Sequence, residues 1–74
     1  MAIVRKLERI TLERDSSHSE ASCTYSIIQG HDGKSLQIDT YGSAQRKILD
    51  KKSQSIRFSP EAITQLREIL AKEL

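Results

Sequence analysis

The chain has 74 residues, with 12 Lys or Arg, 10 Asp or Glu and one cysteine, and its formal net charge is +2. A chain of this length buries only about 60% of its unfolded surface, so residues 1–74 predict one small domain that needs a partner or a staple. The single Cys23 excludes an internal disulfide. We therefore expect a homodimer in a reducing, cytoplasmic setting, without a signal peptide or a membrane span.

The first fourteen residues fit two structures. Ile3, Val4, Leu7 and Ile10 share one helical face, whereas the alternation of apolar and charged residues up to Glu13 fits a strand. The polar loop at residues 14–20 favours a strand that forms a hairpin with the next one. Whether residues 3–13 are strand or helix stays open. Arg9, in this segment, joins the candidate binding residues named below.

Residues 21–29 alternate with a period of two, which predicts a strand. Cys23 falls on the apolar-facing set with Ile27, so we expect it to be a buried structural thiol. Asp32-Gly33 predicts a hairpin turn, because tight primed turns need positive φ. The returning strand alternates again and ends at Gly42-Ser43.

Residues 44–53 are too polar for a core segment and predict a long basic loop, after which Ile56 and Phe58 alternate with polar neighbours in a short fourth strand. Ser59 is a good N-cap and Pro60 suits the first helical position. A wide apolar stripe then predicts a C-terminal helix, with one flank on the sheet and the other on a second subunit. The stripe residues that we assign to the dimer interface are Ile63, Leu66, Ile69, Leu70 and Leu74.

Together the elements predict an α+β fold of order β-β-β-β-α, in which a four-stranded antiparallel meander precedes one C-terminal helix and the helix covers its apolar face. Alternation places Gln37, Tyr41 and Arg57 on the opposite face. A polar, partly aromatic sheet face suits a single-stranded nucleic acid. A plain solvent-exposed sheet would show the same alternation.

The excess positive charge lies beside this face. Residues 34–58 hold six Lys or Arg and two Asp, whereas residues 15–33 hold three acidic residues and no Lys or Arg. A basic segment of this kind can neutralise the phosphates of a nucleic acid. The candidate phosphate-binding residues are Lys34, Arg46, Lys47, Lys51, Lys52 and Arg57.

The segment Ser55–Leu70, SIRFSPEAITQLREIL, resembles the last strand and helix of the positive cofactor four family of transcriptional coactivators. The segment Asp32–Tyr41, DGKSLQIDTY, looks like that family's Gly-Lys turn and the strand after it, and Arg46–Lys52 falls where the family has a basic connection. The resemblance covers residues 21–74. It implies a homodimer of β4α subunits that binds single-stranded or melted DNA or, in some related proteins, RNA.

Position by position, Lys34 matches the family's turn lysine, and Lys51 and Lys52 match its basic pair before the last strand. Tyr41 lies near the aromatic that ends the family's third strand. The chain departs from the family at the turn, where His31 replaces an aromatic, and it has no Trp. Stacking on aromatic side chains contributes about 1–3 kcal/mol per base, so we expect fewer stacked bases here.

No enzyme is expected. His18 and His31 have no partner at ligand spacing and lie in predicted turns, so we expect them to be solvated. Asp39 and Asp50 do not form a recognisable carboxylate pair for hydrolysis, and the sequence has no Gly-rich phosphate loop. We therefore predict no catalytic residue, no metal ligand and no cofactor.

The predicted function is a non-enzymatic, homodimeric module that binds single-stranded nucleic acid, DNA rather than RNA, in transcription or replication. Its partners would be nucleic acid and a second copy of the chain, not a membrane. Two alternatives stay open. A ribbon-helix-helix repressor would bind duplex DNA, but that fold needs a second helix, which does not follow before Leu74. An accessory subunit that binds only protein would fit the small net charge and the scarcity of aromatic residues.

Overall fold

The computed structural model describes residues 1–43 and 52–74. Four strands, β1 (Ala2–Val4), β2 (Ala21–Gly30), β3 (Gly33–Ser43) and β4 (Gln54–Phe58), precede one helix, α1 (Pro60–Glu73). The predicted α+β class and the β-β-β-β-α order are therefore confirmed in this part of the chain. No helix within these two ranges is long and apolar enough to cross a membrane.

The four strands form one sheet with the order β1-β4-β3-β2. β2 and β3 are antiparallel, and so are β3 and β4, as a meander requires. The expected hairpin between the first strand and β2 is wrong, because β1 lies at the opposite edge and runs parallel to β4. Val4 pairs there with Phe58, and the Ser59 amide donates to the Val4 carbonyl at 2.9 Å. β1 is thus attached to the start of the helix.

Residues 5–14, here called the arm, follow α1 instead of continuing the sheet. The Gln65 carboxamide accepts a hydrogen bond from the Leu7 amide at 2.8 Å and donates one to the Leu7 carbonyl at 2.5 Å. Arg9 forms an ion pair with Glu73 near the end of α1. The predicted strand over residues 3–13 therefore ends at Val4, because a side chain takes the place of a neighbouring strand as the partner of the Leu7 backbone.

Strand register divides the sheet into two faces, since successive side chains of a strand point to opposite sides. On the helix-side face, α1 packs beside a row formed by Val4, Phe58, Leu36 and Ile27. A second apolar row on the same face consists of Ala2, Ile56, Ile38 and Tyr25. The face that points away from α1 is called the open face, and its central row is Ile3, Arg57, Gln37 and Ser26.

The start of α1 follows the predicted pattern. The Ser59 hydroxyl accepts a hydrogen bond from the Ala62 amide at 3.2 Å, and Pro60 occupies the first turn. Ala62 is fully buried. Hydrogen bonds from its own backbone amide and from the Ser59 hydroxyl lower the pKa of Glu61, so the carboxylate stays charged near the positive end of the helix dipole. Local capping chemistry therefore sets where the helix begins.

The β2–β3 hairpin is also confirmed. His31 and Asp32 form its turn, and Gly30 pairs with Gly33. The positive φ that the Asp-Gly pair predicts falls on Gly33, at 120°, a conformation that L side chains rarely adopt. A glycine at this position therefore lets the chain reverse without strain.

The expectation of a buried thiol at Cys23 is wrong, because its side chain is exposed. β2 is an edge strand, and α1 packs mainly on β3 and β4. The apolar side of β2 consequently has little cover: Tyr25 is 73% exposed and Ile27 is 58% exposed. The strand that alternation predicts in β2 is confirmed, but no part of the described chain covers its apolar side chains.

Candidate nucleic-acid interface

The open face carries polar side chains along the middle of the sheet. Gln37 pairs with Arg57 and Asp39 pairs with Ser55 on the two central strands, so all four side chains point away from α1. The position that alternation predicts for Gln37 and Arg57 is thus confirmed. Thr24 and Ser26 of β2 continue the two rows. The aliphatic side chains that the strand register places on this face are Ile3 on β1 and Ile28 on β2, at the two edges of the sheet.

A chain of hydrogen bonds links the side chains of β3 and β4 across the open face. Arg57 donates from Nε and Nη2 to the Gln37 Oε1 at 3.0 and 2.5 Å. Gln37 Nε2 donates to the two carboxylate oxygens of Asp39 at 3.1 and 3.2 Å. Ser55 Oγ donates to Asp39 Oδ1 at 2.5 Å, and Lys52 Nζ lies 3.2 Å from Oδ2. These contacts restrict the rotamer of each member and preorganise the surface.

Asp39 is the anchor of this chain. It is only 2% exposed, so its carboxylate needs partners to remain charged. The Ser55 hydroxyl lowers the pKa of Asp39 most, burial opposes this, and the Gln37 amide and the Lys52 ammonium lower the pKa further. The net shift is downward, so Asp39 is ionised at neutral pH and holds Gln37 and Lys52 in place.

Lys52 and Arg57, the cations in the described part of the open face, differ in what surrounds them. Lys52 is paired with Asp39, so much of its charge is compensated locally. The guanidinium of Arg57 is bonded to a neutral carboxamide. The ion pairs formed within residues 1–43 and 52–74 are Lys6–Glu8, Arg9–Glu73 and Lys52–Asp39. Within these ranges the charge of Arg57 is thus not compensated by an acidic side chain, whereas Lys52 is paired with Asp39.

Tyr41 does not present the stacking surface expected of it. It is only 8% exposed, and its hydroxyl shares a hydrogen bond of 2.8 Å with Thr24 Oγ1. A buried tyrosine ring with a bonded hydroxyl stabilises the sheet, because both its apolar body and its polar tip are satisfied. An irregularity in the β2–β3 register between Ala21 and Cys23 accompanies this placement.

The remaining candidates lie elsewhere. Lys34 is exposed near the hairpin turn and lines a groove with Leu36 and α1, on the helix side. Arg9 lies beside the end of α1, paired with Glu73, so its expected grouping with Arg57 is wrong. Three candidates, Arg46, Lys47 and Lys51, lie outside the described residues. The structure thus brings together Arg57 and Lys52 and separates Lys34 and Arg9 from them.

Sequence analysis missed two components of this surface, the Asp39–Ser55 contact and Ile3. The repeated spacing in Gln37-x-Asp39 and Ser55-x-Arg57 is a signal for shared faces, since residues two apart in a strand point the same way. It does not reveal which residue faces which, because that depends on the register of two strands far apart in sequence.

Within the residues that the structure describes, no three His, Cys, Asp or Glu side chains meet as a metal site. No protein-family model, no curated protein and no solved structure matches the chain. The resemblance to the positive cofactor four family therefore remains a prediction from the residues quoted above.

Proposed function

We propose that the chain is a non-enzymatic module that binds single-stranded nucleic acid, DNA more strongly than RNA, on its open face. It would act as a homodimer, as the resemblance to the positive cofactor four family implies, with a role in transcription or replication and a cytoplasmic location. The observation that carries the proposal is Arg57, a cation held in the middle of a polar sheet face by a neutral partner.

Arg57 has the properties of a preorganised phosphate ligand. Its guanidinium carries five N–H donors, of which Nε and one on Nη2 are bonded to Gln37. The remaining donors can form charge-assisted hydrogen bonds, which are about twice as strong as neutral ones. Because Asp39 restrains Gln37 and Gln37 restrains Arg57, little side-chain entropy is lost when a ligand binds.

The duplex-binding alternative receives less support. A ribbon-helix-helix protein reads the major groove with a two-stranded ribbon. In this chain both edges of β4 already have partners, β1 on one side and β3 on the other. The QSIRF strand therefore has no free edge with which to form a ribbon with a second subunit.

The homodimer is supported by the surface of the single chain. Its accessible area is 6665 Å², whereas a folded protein of 8.4 kDa exposes about 4,600 Å². The excess of about 2,000 Å² falls in the range that each subunit of an obligate homodimer buries, roughly 1,000–2,500 Å². The row Ala2–Ile56–Ile38–Tyr25 on the helix-side face, in which Ala2 and Tyr25 are exposed, offers an apolar surface for a second copy. Of the interface residues predicted on α1, Leu70 and Leu74 are exposed and Ile63, Leu66 and Ile69 are partly exposed, so part of that stripe also stays accessible.

The function can be tested by fluorescence anisotropy with labelled single-stranded and duplex oligonucleotides across a salt series. We expect the wild type to prefer single strands. Arg57→Gln should weaken binding about tenfold, because a hydrogen bond to a charged group contributes about 1.5–3 kcal/mol. The slope of log K against log salt should fall by about 0.7 for each phosphate that the variant no longer neutralises. Lys52→Gln should have a smaller effect.

Arg67→Gln is the matched control, since it removes an exposed arginine from α1 with the same change in charge. Circular dichroism checks that each variant folds. Equal losses in the Arg57 and Arg67 variants would contradict an assigned site and indicate diffuse attraction. Stronger duplex binding would favour the repressor alternative. Absence of binding at low salt would leave a protein-interaction subunit.

A further inference from the structure

Ile3 is an apolar side chain at the edge of the polar open face. It pairs with Arg57 across the β1–β4 ladder, and its side chain is 59% exposed. A shallow groove runs between them, lined by Met1, Ala2, Ile3, Gln37, Ser55 and Arg57. An apolar residue beside a half-buried guanidinium forms a surface with both hydrophobic and cationic character.

The guanidinium of Arg57 is held at its edge by Gln37, and this contact does not involve the two faces of the guanidinium plane. Nε and Nη2 both donate to the same oxygen of Gln37, which holds that oxygen close to the guanidinium plane. Unpaired nucleobases stack on arginine planes as well as on aromatic rings. Tyr41 is buried, so the aromatic surface expected on this face is absent and Arg57 is the planar group that remains in the described part of it.

We propose that Ile3 and Arg57 form a subsite that stacks one unpaired nucleobase of the bound strand. This inference rests on the proposed function and adds a base contact to the phosphate contacts assigned there. A phosphate gains nothing from contact with the isoleucine side chain, whereas the apolar face of a base does. A base within a duplex is already stacked on both sides, so the subsite favours single strands.

The subsite accepts different bases. The Gln37 carboxamide is engaged at both ends, by Arg57 and by Asp39, and the Ser55 hydroxyl donates to Asp39. The Gln37 carboxamide and the Ser55 proton are therefore committed within the protein, which leaves these two side chains little capacity to read the hydrogen-bonding edge of a base. Every base has a π face, so stacking alone gives little sequence preference.

The test compares a deoxythymidine oligomer with an abasic oligomer that has the same number of phosphates. The wild type should bind the thymidine oligomer at least about fivefold more tightly, the lower end of what stacking one base contributes. Arg57→Lys keeps the charge but removes the planar group, and Ile3→Thr keeps the β-branch but replaces the ethyl group by a hydroxyl. Both variants should reduce the ratio of the two affinities towards one.

Binding of the abasic oligomer is the internal control for folding and for phosphate contacts, and it should change less than about twofold in Ile3→Thr, since phosphate affinity is electrostatic. Ile10→Thr, at a 73% exposed position of the arm, is the matched control and should leave the ratio unchanged. Equal wild-type affinity for the two oligomers, or an unchanged ratio in both variants, would overturn the subsite while the proposed function stands. If the wild type binds neither oligomer, the function itself fails.

Discussion

Asp39 connects three segments of the chain on the open face. Its carboxylate accepts from Ser55 and Gln37 and is paired with Lys52, so residues from β3, from β4 and from the segment before β4 meet at one buried charge. Removing one partner of a buried ionic group costs more stability than the intact interaction contributes. The reason is that the remaining polar groups stay buried without their hydrogen bonds. Asp39 therefore supports the site without needing to touch a ligand.

The sign of the pH dependence follows from the lowered pKa of Asp39. Its ionised form stabilises the folded state above the unfolded pKa of about 3.9, and this contribution is lost as the pH falls through the lower, folded pKa. Asp39→Asn should reduce the free energy of unfolding at neutral pH, and the variant should lose less further stability on acidification than the wild type does. Urea unfolding from about pH 7 to about pH 3, at a fixed protein concentration, measures both effects.

Glu68→Gln, which removes one exposed negative charge from α1, controls for net charge. Parallel loss of stability with falling pH in the wild type and in Asp39→Asn would show that other carboxylates dominate the acid transition.

Alternation predicted the side on which Gln37 and Arg57 lie, because the two-residue period is a local property of a strand. The exposure of Tyr41 and Cys23 was not predictable in the same way. Tyr41 is buried although it shares the polar side with Gln37, and Cys23 is exposed although it shares the apolar side with Ile27. Exposure depends on what lies above each residue, and the sequence pattern contains no information about it.

At the start of α1, the residue that caps the helix also bonds to a strand that is distant in sequence. Ser59 is 3% exposed, its hydroxyl caps the helix at Ala62, and its amide donates to the Val4 carbonyl of β1. One residue therefore ends β4, starts the helix and fixes the edge strand. Because β1 contains Ile3, the helix start also positions the proposed base subsite.

Ser59→Ala should destabilise the protein by about 1 kcal/mol, the typical cost of replacing an N-cap residue by alanine. Chemical denaturation measures the difference. Thr64→Ala is the matched control, since it also removes a hydroxyl from the helix region; its Oγ1 donates to the Pro60 carbonyl at an exposed position. We expect little change there, because alanine has the higher helix propensity. If the two variants cost the same, the hydroxyl of Ser59 does not act as a cap.

The start of the helix and the β2–β3 hairpin were predictable because their signals are local. Ser59-Pro60 favours a helix start and Asp32-Gly33 favours a turn in the backbone next to each pair. The first segment was not, because its partners are distant: Leu7 bonds to a side chain 58 residues away. Its apolar spacing fitted both helix and strand. The segment is mostly neither, since after Val4 the chain follows α1 as an arm without regular secondary structure, held by Gln65.

As a whole, the single chain is more open than a compact domain of its length. Its radius of gyration is 14.3 Å, whereas a compact domain of 74 residues has about 11 Å. In the described ranges the buried hydrophobic residues are Tyr41 and Ala62, and no large side chain is fully buried. In the proposed dimer, a second copy that covers the row Ala2–Ile56–Ile38–Tyr25 would add to this core. It would also bury the side chains of β2 for which alternation predicted burial.

Sedimentation equilibrium tests this arrangement directly. We expect the wild type to sediment at twice the chain mass of 8.4 kDa. Tyr25→Asp should weaken the dimer at least about tenfold, because it would bury an unpaired charge twice in a symmetric interface. Leu12→Asp, at a 67% exposed position of the arm, is the control and should leave the mass unchanged. A monomeric wild type would contradict the dimer. A dimer that persists in Tyr25→Asp but dissociates in Leu12→Asp would show that the interface lies at the arm and not at the sheet. The row Ala2–Ile56–Ile38–Tyr25 would then need a different partner.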